Sequence, residues 1–292
     1  MTRFLGLAFG WPVLIATVLA LARVPLGSPV GLAVIALLYM PAPAVAALLV
    51  ERRIVRERLV FPSGGDARTV LRFFGLPVLA VVAVAALLVA LTVLLGNRLG
   101  FAPVGTLLPS VAALRAHLAD LYGPDRAAQA RLPGSLAALV VAGLLGAVGA
   151  GWSINGVLAL GEEYGWRGFL WEAWRPAGAV RANLAIGAVW GLWHAPLIVQ
   201  GFEYPGHPIS GVLVMLGFTT AASFLLTAIR ERTGSVLPAA AAHGAVNGTA
   251  PLLGLLIAGG DPRVSGFAGL LGWIALGLVS AILWLRLRPA RP

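Results

Sequence analysis

Two adjacent glutamates, Glu162 and Glu163, lie inside an apolar stretch, and Arg167 follows one helical turn later. The other acidic residues fall in polar segments or at the ends of apolar ones, so this pair stands apart. Two of the four histidines, His194 and His243, also interrupt apolar stretches, and Asn247 follows His243 by four residues. Ionisable groups inside a bilayer cost about 2.5–3.5 kcal/mol or more each, and by default they signal function. The chemistry open to these residue types is hydrolytic. A carboxylate can take a proton from water, an imidazole can orient that water, and imidazole or amide donors can hold a developing oxyanion.

Spacing divides the roles. Glu163 and Arg167, at i and i+4, share a helix face and are expected to form an ion pair. Glu162 points about 100° away on a helix of 3.6 residues per turn, which leaves it as the candidate general base. His243 and Asn247 share a face in the same way. At 1.5 Å per residue, Glu162, His194 and His243 lie about 15, 20 and 16 Å from the nearest charge at the arginine-rich side, so three helices bring polar groups to a similar depth. Pro196 is expected to kink the helix that carries His194 and to open space beside the imidazole. Trp166, Trp190 and Trp193 are candidates for the pocket wall. Plainer readings exist for each group: a structural ion pair for Glu163, and helix-packing hydrogen bonds for His194 and Asn247. A proton or ion relay in a transporter would use the same residue types, but no inverted repeat accompanies them.

The same set offers metal ligands. Glu162, His194, His243 and Asn247 could hold Zn²⁺ or a similar divalent ion with water in an open position. The spacing is not HExxH, in which two ligands flank the base on one helix turn. A metal-free site in which Glu162 activates water is therefore the favoured expectation, with no cofactor.

The elements that must position these residues are membrane helices. Only 11% of the 292 residues are charged against 59% hydrophobic, and the mean hydropathy is +0.92. Water-facing domains average about 25% charged residues. Eight apolar segments can be drawn, at about 4–22, 28–50, 73–96, 136–171, 182–200, 211–229, 235–258 and 266–285. Hydrocarbon leaves only helices or closed barrels as spanning structures, and barrel-type alternation is absent. The expectation is an all-α, polytopic membrane protein, one transmembrane domain over 1–292. About eight helices would surround a polar cavity facing the cytoplasm. The first apolar run exceeds the 7–15 residues or so of a signal peptide core and is read as a retained helix.

Every one of the 21 basic residues is Arg, and the formal net charge is +10. No basic–aromatic motif accompanies the charge, so nucleic acid is not expected as a partner. Fourteen arginines fall on the side of Arg3, Arg52 and Arg230 and six on the side of Arg98 and Arg263. The positive-inside rule then puts both termini of a multi-pass protein in the cytoplasm. Basic loop 51–72 is expected to meet anionic lipid headgroups, and Trp171 and Trp174 to join an interfacial belt. Loop 97–133 should carry an amphipathic helix at about 107–121. Asn155 lies in a glycine-rich stretch where close helix packing explains it. No Cys is present, which removes disulfides, thiolate ligands and a cysteine nucleophile.

Three segments together resemble one family. Glu162-Glu163-Tyr164-Gly165-Trp166-Arg167-Gly168 resembles the EExxxR motif of the CAAX prenyl protease and bacteriocin-processing intramembrane proteases (CPBP, or Abi), type II CAAX endopeptidase-like. Trp190-Gly191-Leu192-Trp193-His194 resembles the family's FxxxH motif, and His243-Gly244-Ala245-Val246-Asn247 its HxxxN motif. The resemblance covers about 136–250, which would be the catalytic core. It implies an intramembrane endopeptidase acting on a membrane-associated protein or peptide, prenylated CAAX-type proteins included. Glu162 would be the base and His194 would position water. His243 and Asn247 would stabilise the oxyanion, while Glu163 and Arg167 organise the site. Trp190 stands where the family usually has Phe, which bears on pocket shape. A non-catalytic scaffold or self-immunity protein on the same fold is the alternative.

Overall fold

The computed structural model describes residues 1–62 and 66–286. Two of the arginines counted above, Arg288 and Arg291, lie outside the described residues. Helices α1 (Thr2–Leu21), α2 (Pro29–Glu51) and α3 (Ala67–Arg98) come first. Two short helices follow, α4 (Val111–Tyr122) and α5 (Pro124–Gln129). Then come α6 (Leu136–Gly151), α7 (Ile154–Ala177), α8 (Ala179–Ile198), α9 (Pro208–Thr233), α10 (Leu237–Leu256) and α11 (Leu270–Leu285). Helix α4 is the amphipathic helix expected in loop 97–133. Ser110, Ser135 and Asp66 accept hydrogen bonds from exposed amide groups at the starts of α4, α6 and α3.

Several helices present apolar stripes outward. Leu7, Trp11, Leu14, Val18 and Leu21 of α1 are exposed at spacings of three and four residues, as are Leu270, Ile274, Leu278, Ile282 and Leu285 of α11. Water would penalise such stripes, whereas lipid does not. Helices α1, α2, α3 and α9 are long and apolar enough to cross a bilayer. The pair α6–α7 adds a fifth span if it crosses as one. The all-α, polytopic fold stands, and a count of eight requires α8, α10 and the 16-residue α11 to cross as well.

One expected segment is corrected. The stretch 136–171 is not a single helix: it breaks at Trp152-Ser153, and α6 and α7 meet at 53°. Ser153 leaves helical geometry there, with its hydroxyl turned back onto the Gly149 carbonyl. Gly151 and Gly156 make the tight turn sterically open, since a Cβ at Gly156 would fall 1.9 Å from the Gly151 carbonyl oxygen. The bend turns α7 across α10 and aims its glutamates inward.

The helix bundle has two distinct ends. At one, the buried Arg58 binds both Glu51 oxygens at 2.6 and 2.7 Å and Glu172 at 2.6 Å. Arg230 meets Glu172 from α9, and the Arg58 carbonyl accepts from Val236 at the start of α10. Arg58 is thus a clamp between connections, not a headgroup contact, whereas Arg52, Arg53 and Arg56 are exposed. Trp171 is likewise buried and donates to Glu231, rather than sitting in an aromatic belt. At the opposite end strand β1 (Thr106–Leu107) pairs antiparallel with β2 (Ile257–Ala258). Asn97 brackets Leu107 there, and Tyr204 donates to the Ala268 carbonyl. At this end Arg263 hydrogen-bonds Asp261 and holds its carboxyl low, at about 2.

Inside, glycine pairs set helix distances. A Cβ at Gly187 would stand 2.4 Å from Thr220 Cα, and one at Gly191 2.7 Å from Thr219 Oγ1, so α8 and α9 touch backbone to backbone. The Thr219 hydroxyl donates to the Gly187 carbonyl across that contact, at 2.8 Å. Gly161 and Gly165 press α7 on Pro41 and Pro43 of α2, and Gly244 and Gly248 press α10 on Asn155 and Ala147. This is small-residue packing, the usual basis of close helix approach in membranes. Replacing Gly191 by Leu should therefore destabilise the protein by about 1–3 kcal/mol or more through overpacking. Gly10→Ala, where a Cβ meets nothing within 4 Å, should be neutral. Thermal unfolding of the two variants in detergent micelles checks the contrast.

Candidate active site

The site is assembled by α7, α8 and α10. Glu162 and Glu163 end the regular part of α7, and a π-helical turn runs from Tyr164 to Leu170 directly after them. Such turns are frequent at functional sites because they re-aim side chains within a helix. Glu163 is fully buried, and its Oε1 accepts from two donors: Arg167 Nη1 at 3.0 Å and His243 Nδ1 at 2.9 Å. The i,i+4 pair expected from spacing is present, and it extends to a second helix. The Arg167 guanidinium lies 4.4 Å over the Trp190 ring, a cation–π contact. Trp190 Nε1 in turn donates to Glu162 Oε2 at 2.7 Å.

These contacts form a chain: His243, Glu163, Arg167, Trp190, Glu162. His194 hangs from it, its Nδ1 2.9 Å from the Trp190 carbonyl. A carbonyl and a carboxylate can only accept, so both histidines donate through Nδ1, and each keeps Nε2 for other work. The Glu162 Oε1 atom makes no hydrogen bond among the described residues. The two adjacent carboxylates thus differ: Glu163 is committed to Arg167 and His243, and Glu162 is held by one neutral N–H.

A cavity of about 790 Å³ borders Glu162, His194, His243 and Asn247 together, with Trp190 and Trp193 on its wall. Glu163 and Arg167 stand behind that wall. Trp166 does not line the cavity as expected. Its ring is wholly buried between Phe4 of α1 and Trp193 of α8, at centroid distances of 6.0 and 6.1 Å, because the π-helical turn carries it to the α1 side. Asn247 is exposed to the cavity and makes no side-chain hydrogen bond among the described residues.

The cavity extends along the bundle from these four residues. It continues past Leu197, Phe202 and Tyr204 to Gly260 and Phe267, in the loops of the strand-bearing end. Among the described residues, none of the connections around Arg58, Glu172 or Arg230 borders it. On the arginine-rich side the residues of α7 from Glu163 to Gly168 are buried. The three helices bring Glu162, His194 and His243 to this one cavity.

Three cavity residues were missed by the sequence reading. Tyr39 borders the cavity and donates to the Trp193 carbonyl, joining α2 to α8. Asn155 borders it while donating to the Gly244 carbonyl at 3.2 Å, so it is both packing and lining. Glu203 stands at the far end. Spacing within a helix could not reveal them, although Glu203 is one of only eleven acids. The bond to Glu162 uses the Trp190 indole N–H, a donor that a Phe side chain lacks. For a metal, no group of three or more His, Cys, Asp or Glu among the described residues stands close enough to hold an ion. The donor set therefore fits an ion poorly.

Residues 133–249 match a family model described as type II CAAX prenyl endopeptidase Rce1-like, the family that the three motifs resemble. The matched part spans every residue of the chain of contacts above. No curated protein matches this chain.

The shared Glu163 carboxylate makes a stability contrast. Glu163→Gln leaves Arg167 buried without its counter-charge and should cost about 3–5 kcal/mol. Glu162→Gln keeps a carbonyl for the Trp190 N–H and should cost no more than about 1 kcal/mol. Thermal unfolding in detergent, with both variants purified in parallel, reads the difference.

Proposed function

We propose that the Rce1-like segment makes this chain an intramembrane endopeptidase, hydrolysing a peptide bond of a membrane-associated protein or peptide with water activated by Glu162. The observation that carries the reading is the convergence of Glu162, His194, His243 and Asn247 from three helices on one cavity. A general base, a water-orienting imidazole and two groups suited to an oxyanion then border the same space. The family's description carries prenylated CAAX proteins as a substrate class, and the largely apolar lining suits an apolar or lipidated peptide.

In this reading the Trp190 N–H fixes one Glu162 oxygen, and the free Oε1 takes a proton from water. His194 Nε2, with its tautomer set by the Trp190 carbonyl, accepts the second water hydrogen bond and aims the oxygen. That oxygen attacks the scissile carbonyl carbon, and the charge moves to the carbonyl oxygen. Asn247 Nδ2 and His243 Nε2 donate to it. His243 can donate from Nε2 only with both nitrogens protonated. That state balances two carboxylates against one guanidinium and one imidazolium. Glu162 then passes its proton to the departing amine as the C–N bond breaks, leaving Glu162 ionised again, a new carboxylic acid and a free amine; the acid's proton then passes to the amine.

A survey of new peptide termini by mass spectrometry, in cells expressing wild type or Glu162→Gln at equal levels, needs no prior substrate. Termini dependent on wild type should appear, and their abundance should fall at least about 100-fold in the variant, the usual contribution of a positioned base. Equal profiles would favour the scaffold alternative. With a substrate from that survey, cleavage by purified protein should persist in excess chelator. Loss in chelator with recovery on added Zn²⁺ would transfer water activation to a metal.

A further inference from the structure

Three arginines meet away from the cavity, at the ends of three helices. Arg72 lies in the second turn of α3, Arg232 in the last turn of α9, and Arg286 directly after α11. These helices pack against one another, and the charges of Arg72 and Arg286 both bear on the Arg232 guanidinium. Arg232 Nη2 donates to the Leu283 carbonyl at 2.6 Å, one of the acceptors left without a helical partner at the end of α11. That bond holds the guanidinium in place. Its Nε is buried and has no hydrogen-bond partner among the described residues. Arg72 and Arg286 are exposed, and neither enters an ion pair among the described residues.

Three guanidiniums drawn together repel one another unless an anion stands among them. The acids of this end do not supply it. Glu51 and Glu172 bind Arg58, and Glu231 binds Arg230 and Trp171. Glu57 and Asp66 are exposed and form no ion pair among the described residues, and Asp66 caps the Thr69 amide of α3. Residues 63–65 and 287–292 contain no Asp or Glu. Cations at helix C-termini are favourable, which accounts for Arg232 and Arg286. It does not account for Arg72, which adds positive charge at the start of α3, where the helix dipole is itself positive.

Apolar surface flanks the arginines. Leu278, Ile282 and Leu285 lead along α11 to Arg286, and Leu71 and Phe74 are exposed beside Arg72. We propose that Arg72, Arg232 and Arg286 bind a phosphate group, and that its source is the headgroup of an anionic phospholipid whose acyl chains lie along these apolar surfaces. Guanidinium forks match phosphate oxygens bidentately, and basic pockets between membrane helices hold anionic headgroups. Binding there needs no proteolytic activity and holds on either side of the bilayer.

Native mass spectrometry of the purified full chain in detergent, titrated with phosphatidylglycerol, phosphatidylcholine or inorganic phosphate, counts the bound species. Wild type should hold one phosphatidylglycerol more tightly than phosphatidylcholine. The double variant Arg72→Gln/Arg286→Gln removes two exposed side chains and should weaken phosphatidylglycerol binding at least about 10-fold. Arg53→Gln/Arg56→Gln makes the same change of net charge at exposed positions elsewhere and should weaken it less than about 3-fold. Equal weakening by both double variants overturns the site in favour of diffuse attraction, and no weakening by the first overturns it outright. Inorganic phosphate bound at these arginines, with no preference between the two lipids, overturns the lipid source. Arg232→Gln should also lose the lipid. It removes the Leu283 bond as well, so if that variant fails to fold, the Arg72→Gln/Arg286→Gln result still decides.

Discussion

The Glu163 carboxylate is the interaction on which the site depends. It has to serve a guanidinium on its own helix and an imidazole on another, so α7 and α10 must approach until Nδ1 of His243 reaches 2.9 Å. Side chains of ordinary size would hold those helices too far apart. Gly244 removes that obstacle where α10 meets Asn155 and Gly156 of α7, and each glycine pair lies beside a residue of the site: Gly161 and Gly165 flank Glu162, Gly187 and Gly191 flank Trp190, Gly244 and Gly248 flank Asn247. The smallest residues and the most polar ones occur together because a buried charge is tolerable only where its partner can come close.

From that constraint the division between the two glutamates follows. One carboxylate is spent on charge balance and holds the framework. The other receives only a tryptophan N–H and keeps an oxygen available. The tryptophan links both functions, with its ring under the Arg167 cation and its N–H on Glu162. A phenylalanine at this position would preserve the first contact and lose the second. The identity of this residue therefore bears on Glu162 itself as well as on the shape of the pocket.

The sequence made the membrane class readable because hydrophobicity is a bulk property, and it exposed Glu162, Glu163, Arg167, His194 and His243 because polar groups in apolar runs are rare. The Glu163–Arg167 pair was readable because i,i+4 geometry is local. What it concealed is non-local. The His243–Glu163 bond joins residues 80 apart, Tyr39 reaches α8 from a helix outside the motifs, and Trp166 turns toward α1 through a π-helical turn that no periodicity announces. The break at Trp152-Ser153 was hidden because Gly-rich apolar sequence reads as continuous helix. The direction of the cavity depends on which loops fold over an end, and hydropathy carries no signal for that. The glycine pairs themselves were legible as G-x-x-x-G spacings, and their position beside the polar residues was the unused clue.

The central claim is that water, and no side chain, attacks the scissile carbonyl. With a substrate in hand, single-turnover cleavage by purified protein in H₂¹⁸O tests it most directly, following intact-protein mass alongside the products. The account predicts ¹⁸O in the new carboxyl terminus and a protein mass that never rises during turnover. A transient adduct on the protein with the mass of the substrate's N-terminal fragment would contradict it, because the nucleophile would then be a side chain and Glu162 would have a different role.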